Sequence, residues 1–167
     1  MKKRLLACLL TLVMLLALLP ATALAAENTV STEDELNAAI AAASGTESAP
    51  TVIYLATSIP LDSSILIPDG KFIELVGPAE KATIVPSASF ASTLFAPALI
   101  GVGDGSVKTS LTLKNIVLDG DNRTRGIAIH KGNVLNTESV IIKNGATGSN
   151  SSGGGIAVCW HGETEDA

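Results

Sequence analysis

Four charged residues stand within seven positions of the 167-residue chain: Asp119, Asp121, Arg123 and Arg125, in the stretch "DGDNRTR". Carboxylates beside guanidinium groups are the residue types that polysaccharide lyase chemistry uses. That reaction removes a proton α to a uronate carboxylate. It needs a cation or basic cluster to neutralise that carboxylate, and a base, commonly arginine or lysine. Two features weigh against such a site. Opposite charges this close pair with each other, and the chemistry draws groups from several neighbouring segments. The corresponding later stretch, "IIKNGATGSN", carries no carboxylate. The four residues stand as the catalytic candidates, and the segment itself reads as a solvated turn.

Other chemistries fit less well. "DGDNRTRGIAIH" begins D-x-D like a calcium loop, but Arg123, Thr124 and His130 occupy its fifth, sixth and twelfth places, where that loop has a ligand, glycine and glutamate. Cys8 falls in the leader described below, which leaves Cys159 without an internal partner. Cys159 and His161 are too few for a structural zinc site. "GSNSSGGG" lacks the lysine of a phosphate loop. Asp104 in "GVGDGS" reads as a turn residue, and His130 as a surface or satisfied side chain. No resident cofactor or metal is expected; calcium enters only with the lyase alternative.

The start of the chain bounds the compartment. Lys2, Lys3 and Arg4 precede an apolar run from Leu5 to Leu19, Pro20 interrupts it, and Ala23-Leu24-Ala25 offers a small-x-small cleavage site. Residues 1–25 therefore read as a secretory signal peptide rather than a membrane anchor. Removal of three of the 11 basic residues leaves 8 basic against 16 acidic, a net charge of −8. That balance argues against nucleic acid or an anionic membrane as partner. Two N-x-S/T sequons, at Asn122 and Asn150, read as chance beside a leader of bacterial type.

The elements that would position these residues follow from the pattern. "STEDELNAAIAAA", residues 31 to 43, predicts one helix. Thr32 and Glu35 make a capping box, three acidic residues occupy the first turn, Leu36, Ala39, Ile40 and Ala43 form a stripe, and Gly45 ends it. Beyond it only short apolar runs recur, from "TVIYL" (51 to 55) to "GGIAV" (154 to 158), each bounded by turn residues. The core is Ile, Leu, Val and Ala, since aromatics are only 3% of the chain. "NIVLDG" overlays "SVIIKN" at a shift of 24, and "GIAI" from Gly126 overlays "GIAV" from Gly155 at a shift of 29, with a longer loop between. A unit of about two dozen residues with two or three short strands predicts a parallel β-helix. The rival is an antiparallel sandwich.

The chain resembles the N-terminal part of secreted right-handed parallel β-helix proteins of the pectate lyase-like superfamily. The residues that carry the likeness are "VSTEDELNAAIAAA", "TVIYLATSIPLDSSILIPDGKFIELVGP" and "LTLKNIVLDGDNRTRGIAI". The resemblance implies an N-terminal capping helix over the first coil, with the helix and its linker at 26–50 and the coils at 51–158. Polygalacturonases of this fold show "NTD", "DD" and "GHG"; here stand "NTE" (136 to 138), "DGD" (119 to 121) and "IHKG" (129 to 132), which speaks against hydrolase activity. The tail at 159–167 is too short to cap a solenoid, so the chain reads as a fragment. The expected function is a secreted or cell-surface bacterial β-helix segment, non-catalytic and adhesin-like, that meets extracellular polysaccharide or a host or cell-surface protein. The alternative is a pectate lyase-like enzyme with its active coils further on.

Overall fold

The structure is a computed structural model that describes residues 28–94, 97–147 and 154–159. Among the described residues, thirteen strands and one helix follow one another. A two-residue strand, β1 (Thr29–Val30), precedes α1 (Glu33–Ala42). Four passes of three strands come next: β2 (Thr51–Leu55), β3 (Ile59–Ser63) and β4 (Ile65–Ile67); β5 (Phe72–Val76), β6 (Ala82–Ala91) and β7 (Ala98–Val102); β8 (Ser110–Lys114), β9 (Ile116–Asp119) and β10 (Arg125–His130); β11 (Val134–Glu138), β12 (Ile141–Lys143) and β13 (Ile156–Cys159).

Each pass gives one strand to each of three sheets, ordered β1-β2-β5-β8-β11, β12-β9-β6-β3 and β13-β10-β7-β4. Every strand pairing in the three sheets is parallel. The chain is an all-β parallel solenoid, and the antiparallel sandwich is set aside. Sequence shifts reappear as register: Leu118 lies opposite Ile142, and Ile127 opposite Ile156. The two-dozen unit fails in the second pass. Ile73 pairs with Leu111, 38 residues on, because β6 runs to Ala91 and loops follow both β6 and β7.

Alternation explains the interior. Inward residues stack into aliphatic ladders such as Ile65–Ile100–Ile127–Ile156 and Ile53–Leu75–Leu113. Ile65, Ile100 and Ile127 are fully buried. Branched side chains suit this stacking because χ1 is already restricted on a strand. β3 was not legible: Pro60 and Asp62 break its apolar run, yet Ile59 and Leu61 point inward and are fully buried.

The corners between the first two sheets are tight. Asn115 and Ser139 take φ of 54° and 56°, so one left-handed residue redirects the chain in successive passes. Asparagine tolerates this geometry. In the preceding pass, a Cβ on Gly77 would collide with the Asn115 carbonyl.

The helix is fixed at both ends. Thr32 Oγ1 accepts from the Glu35 amide at 3.2 Å, while the Glu35 carboxylate accepts from the Ser31 amide rather than that of Thr32. The helix ends at Ala42 with Ala43 as its C-cap, before Gly45, where a Cβ would meet the Thr51 backbone. Leu36, Ile40 and Ala43 join the aliphatic core. Glu33 accepts from the amides of Asp62 and Ser63 and from the Ser63 hydroxyl. No basic residue lies in the last turn, yet Lys71 Nζ, from the corner between β4 and β5, donates to the carbonyls of Ala41 and Ala43. A cation there meets the negative end of the helix dipole.

Two predictions arise. Ile100→Ala should destabilise by about 2–5 kcal/mol, while Ile156→Ala in the same ladder, 43% exposed, should cost under about 1 kcal/mol, as read by urea unfolding. Lys71→Met should lower stability by about 1–2 kcal/mol and leave the sheet signal in circular dichroism unchanged, because it removes two charged hydrogen bonds from the helix end.

Candidate functional site

The corner between β9 and β10 contains all four candidates. Asp119 closes β9. Gly120 follows, where a Cβ would meet the Thr124 carbonyl and lie 2.6 Å from the Asn144 carbonyl oxygen. Asp121 and Asn122 both adopt left-handed backbone, φ 49° and 55°, and the amides of Arg123 and Thr124 donate to the Gly120 carbonyl. Short polar residues in this conformation let the chain reverse within one corner.

Each charged group has defined structural partners. The Asp119 carboxylate accepts from the Asn144 side-chain amide at 2.9 Å, from the Asp121 amide at 3.1 Å and from Lys143 Nζ at 3.1 Å. The Asn144 amide foremost, then the Asp121 amide and Lys143, hold its carboxyl below the usual range. Asp121 pairs with Arg123 Nε at 3.1 Å. The Arg123 guanidinium also donates to the carbonyls of Pro86 and Ser87, at 2.6 and 2.7 Å. Those carbonyls lie where β6 outruns its neighbour: β9 pairs with β6 only from Ala82 to Ile84. Arg123 therefore covers backbone that the sheet leaves unpaired.

Arg125 differs from the expectation of a solvated turn. It is the first residue of β10 and is buried, with Nη1 donating to the Pro97 carbonyl at 3.3 Å. Thr124 is buried as well. Burial follows from register, since Arg125 lies opposite the fully buried Ala98. The structure thus unites Asp119, Asp121 and Arg123 in one network and turns Arg125 toward a different neighbour. A carboxylate held low is a weak base at neutral pH, and a guanidinium bound to backbone carbonyls has less freedom to meet substrate.

A second corner was overlooked in the sequence. Asp69, between β4 and β5, accepts from the amides of Asp104, Ser106 and Val107, all between β7 and β8. The Asp104 carboxyl is drawn down to about 2, first by its hydrogen bond with the Asp69 carboxyl, then by Ser106. His130 contributes a weaker attraction. The signal was present: Asp69-Gly70 and Asp104-Gly105 lie 35 residues apart, the offset at which Ile67 pairs with Val102. Among the described residues, no group of three or more His, Cys, Asp or Glu is placed to hold a metal ion. Cys159 belongs to β13 and is partly exposed, while His161 and the loop at 148–153 lie outside the described residues.

Lowered carboxyl values set the sign of the pH response. Asp119 ionises more readily folded than unfolded, so its contribution is complete above the ordinary value of 3.8 and is lost as pH falls through the lowered folded value. Thermal melting followed against pH should show a plateau above that value and a decline below it, with a shallower decline in Asp119→Asn. Arg123→Ala should destabilise by about 1–2 kcal/mol, read by chemical denaturation, because two carbonyls of β6 lose a charged donor. Searches of protein-family models, curated proteins and solved structures find no match to this chain.

Proposed function

We propose that the chain is a segment of a secreted or cell-surface bacterial protein, non-catalytic and adhesin-like, that presents flat sheet faces to extracellular polysaccharide or to a cell-surface protein. In this reading residues 1–25 are a signal peptide, α1 caps the first coil, and the coils wind as a right-handed β-helix of the pectate lyase-like kind. One observation carries the non-catalytic part: the side chains best suited to lyase chemistry are engaged in holding coils together. Asp119 binds Asn144 and Lys143 of the following coil, and Arg123 binds Pro86 and Ser87 of the preceding one.

The face supported best is the outer side of the sheet β1-β2-β5-β8-β11. Register places Tyr54, Val76, Lys114 and Glu138 in one row, and Val52, Glu74, Thr112 and Asn136 in the next. Lys114 bridges Glu74 at 3.0 Å and Glu138 at 3.8 Å, and its hydrogen bond and attraction to Glu74 raise its pKa. Tyr54 is exposed beside them. An accessible ring with flanking hydrogen-bonding groups suits a sugar face or a protein side chain.

The test uses uronate polysaccharides, with and without calcium. No rise in ultraviolet absorbance from unsaturated product is expected. Retention on immobilised polysaccharide or cell-surface extract should fall in Tyr54→Ala while the melting temperature holds. An absorbance rise that disappears in Arg123→Lys, with that variant still folded, would overturn the non-catalytic reading in favour of a lyase.

A further inference from the structure

Asn144 is the only asparagine in the chain that precedes a glycine. That pair is open to a self-modification that needs no enzyme. The Gly145 amide nitrogen attacks the Asn144 side-chain carbonyl carbon, a five-membered succinimide closes, and ammonia leaves. Water then opens the ring to an aspartate or to its isomer with the backbone routed through the side chain. Glycine permits the attack because no side chain shields its nitrogen.

The fold holds this pair in a specific way. Asn144 is exposed, so water reaches it. Its backbone is left-handed, φ 49°, and its side-chain amide donates to Asp119 Oδ1 at 2.9 Å. Gly120 N donates to the Lys143 carbonyl, Asn122 N to the Asn144 carbonyl, and Ala146 N to the Thr124 carbonyl. Gly145 lies against the backbone of Gly154, where a Cβ would find no room. Ring closure must swing the carboxamide off Asp119 and twist a backbone that bonds secure on both sides. The reaction therefore requires this corner of the fourth pass to open first.

The product acts on the same contact. An aspartate at this position sets a second carboxylate against Asp119, in place of the donor that contributes most to holding Asp119 ionised. The isomer also lengthens the backbone by one atom between β12 and the rest of its pass.

We propose that Asn144–Gly145 is a spontaneous deamidation site, gated by the Asp119 clamp, whose product prevents the β9–β12 corner from closing again. Opening of a single corner needs less free energy than global unfolding, so modification can occur in an otherwise folded chain.

The experiment follows deamidation by peptide-mapping mass spectrometry in mildly alkaline buffer. The whole chain is compared folded, unfolded in urea, and folded with Asp119→Ala or Asp119→Asn. The folded wild type should react slower than the unfolded chain by about tenfold or more, and both variants should recover much of that difference. In parallel, Asn144→Asp should melt lower than wild type, and hydrogen exchange should show faster amides at Gly120, Asn122 and Ala146. Equal rates in folded and unfolded wild type would refute the gate. An Asn144→Asp variant that matches wild type in melting and exchange would refute the effect on closure. If either Asp119 variant fails to fold, the folded-versus-unfolded comparison and Asn144→Asp still decide.

Discussion

Parallel register between successive inward aliphatic side chains is the constraint on which the rest of this molecule rests. Ile65, Ile100 and Ile127 must lie above one another for any of them to be dry. A slip of one residue in a single pass would turn its whole inward set outward, because strand side chains alternate faces. Register in turn fixes the corners. Once the ladders align, the space for each turn is set, and that is why Gly77 and Gly120 stand where a Cβ would strike a neighbouring carbonyl.

The polar groups serve the same geometry from outside. Glu33 and Lys71 join the helix to the first passes, and Asp69 gathers the amides of the loop between β7 and β8. Asp119 and Arg123 act likewise at the third pass, one toward its successor and one toward its predecessor. Charged side chains here do for the loops what ladder hydrogen bonds do for the strands. They satisfy backbone groups that the sheets leave unpaired.

Periodicity was the legible part of the sequence. Strand alternation, the Thr32 cap and the shifts of 24 and 29 residues are local or nearly so, and each reappears as pairing. The second pass was obscured because its extra residues are inserted between ladder positions and so change spacing without changing the ladder. β3 was hidden by Pro60 and Asp62, whose outward direction matters only once register is known. At the candidate site the residue types were plain and their partners were not. Asn144, Pro86, Ser87 and Pro97 lie 25 to 37 residues from the groups they bind, and no local pattern announces such contacts. Burial of Arg125 was invisible for the same reason.

Arg123 reaches back 36 and 37 residues to the strand of an earlier pass. A bond of that kind makes one layer depend on another far along the chain. The Pro86 and Ser87 carbonyls of β6 have a charged donor only because the third pass turns its corner beside them, so the outer edge of one layer is completed by the next. The arrangement is like masonry in which one course keys the course beneath it.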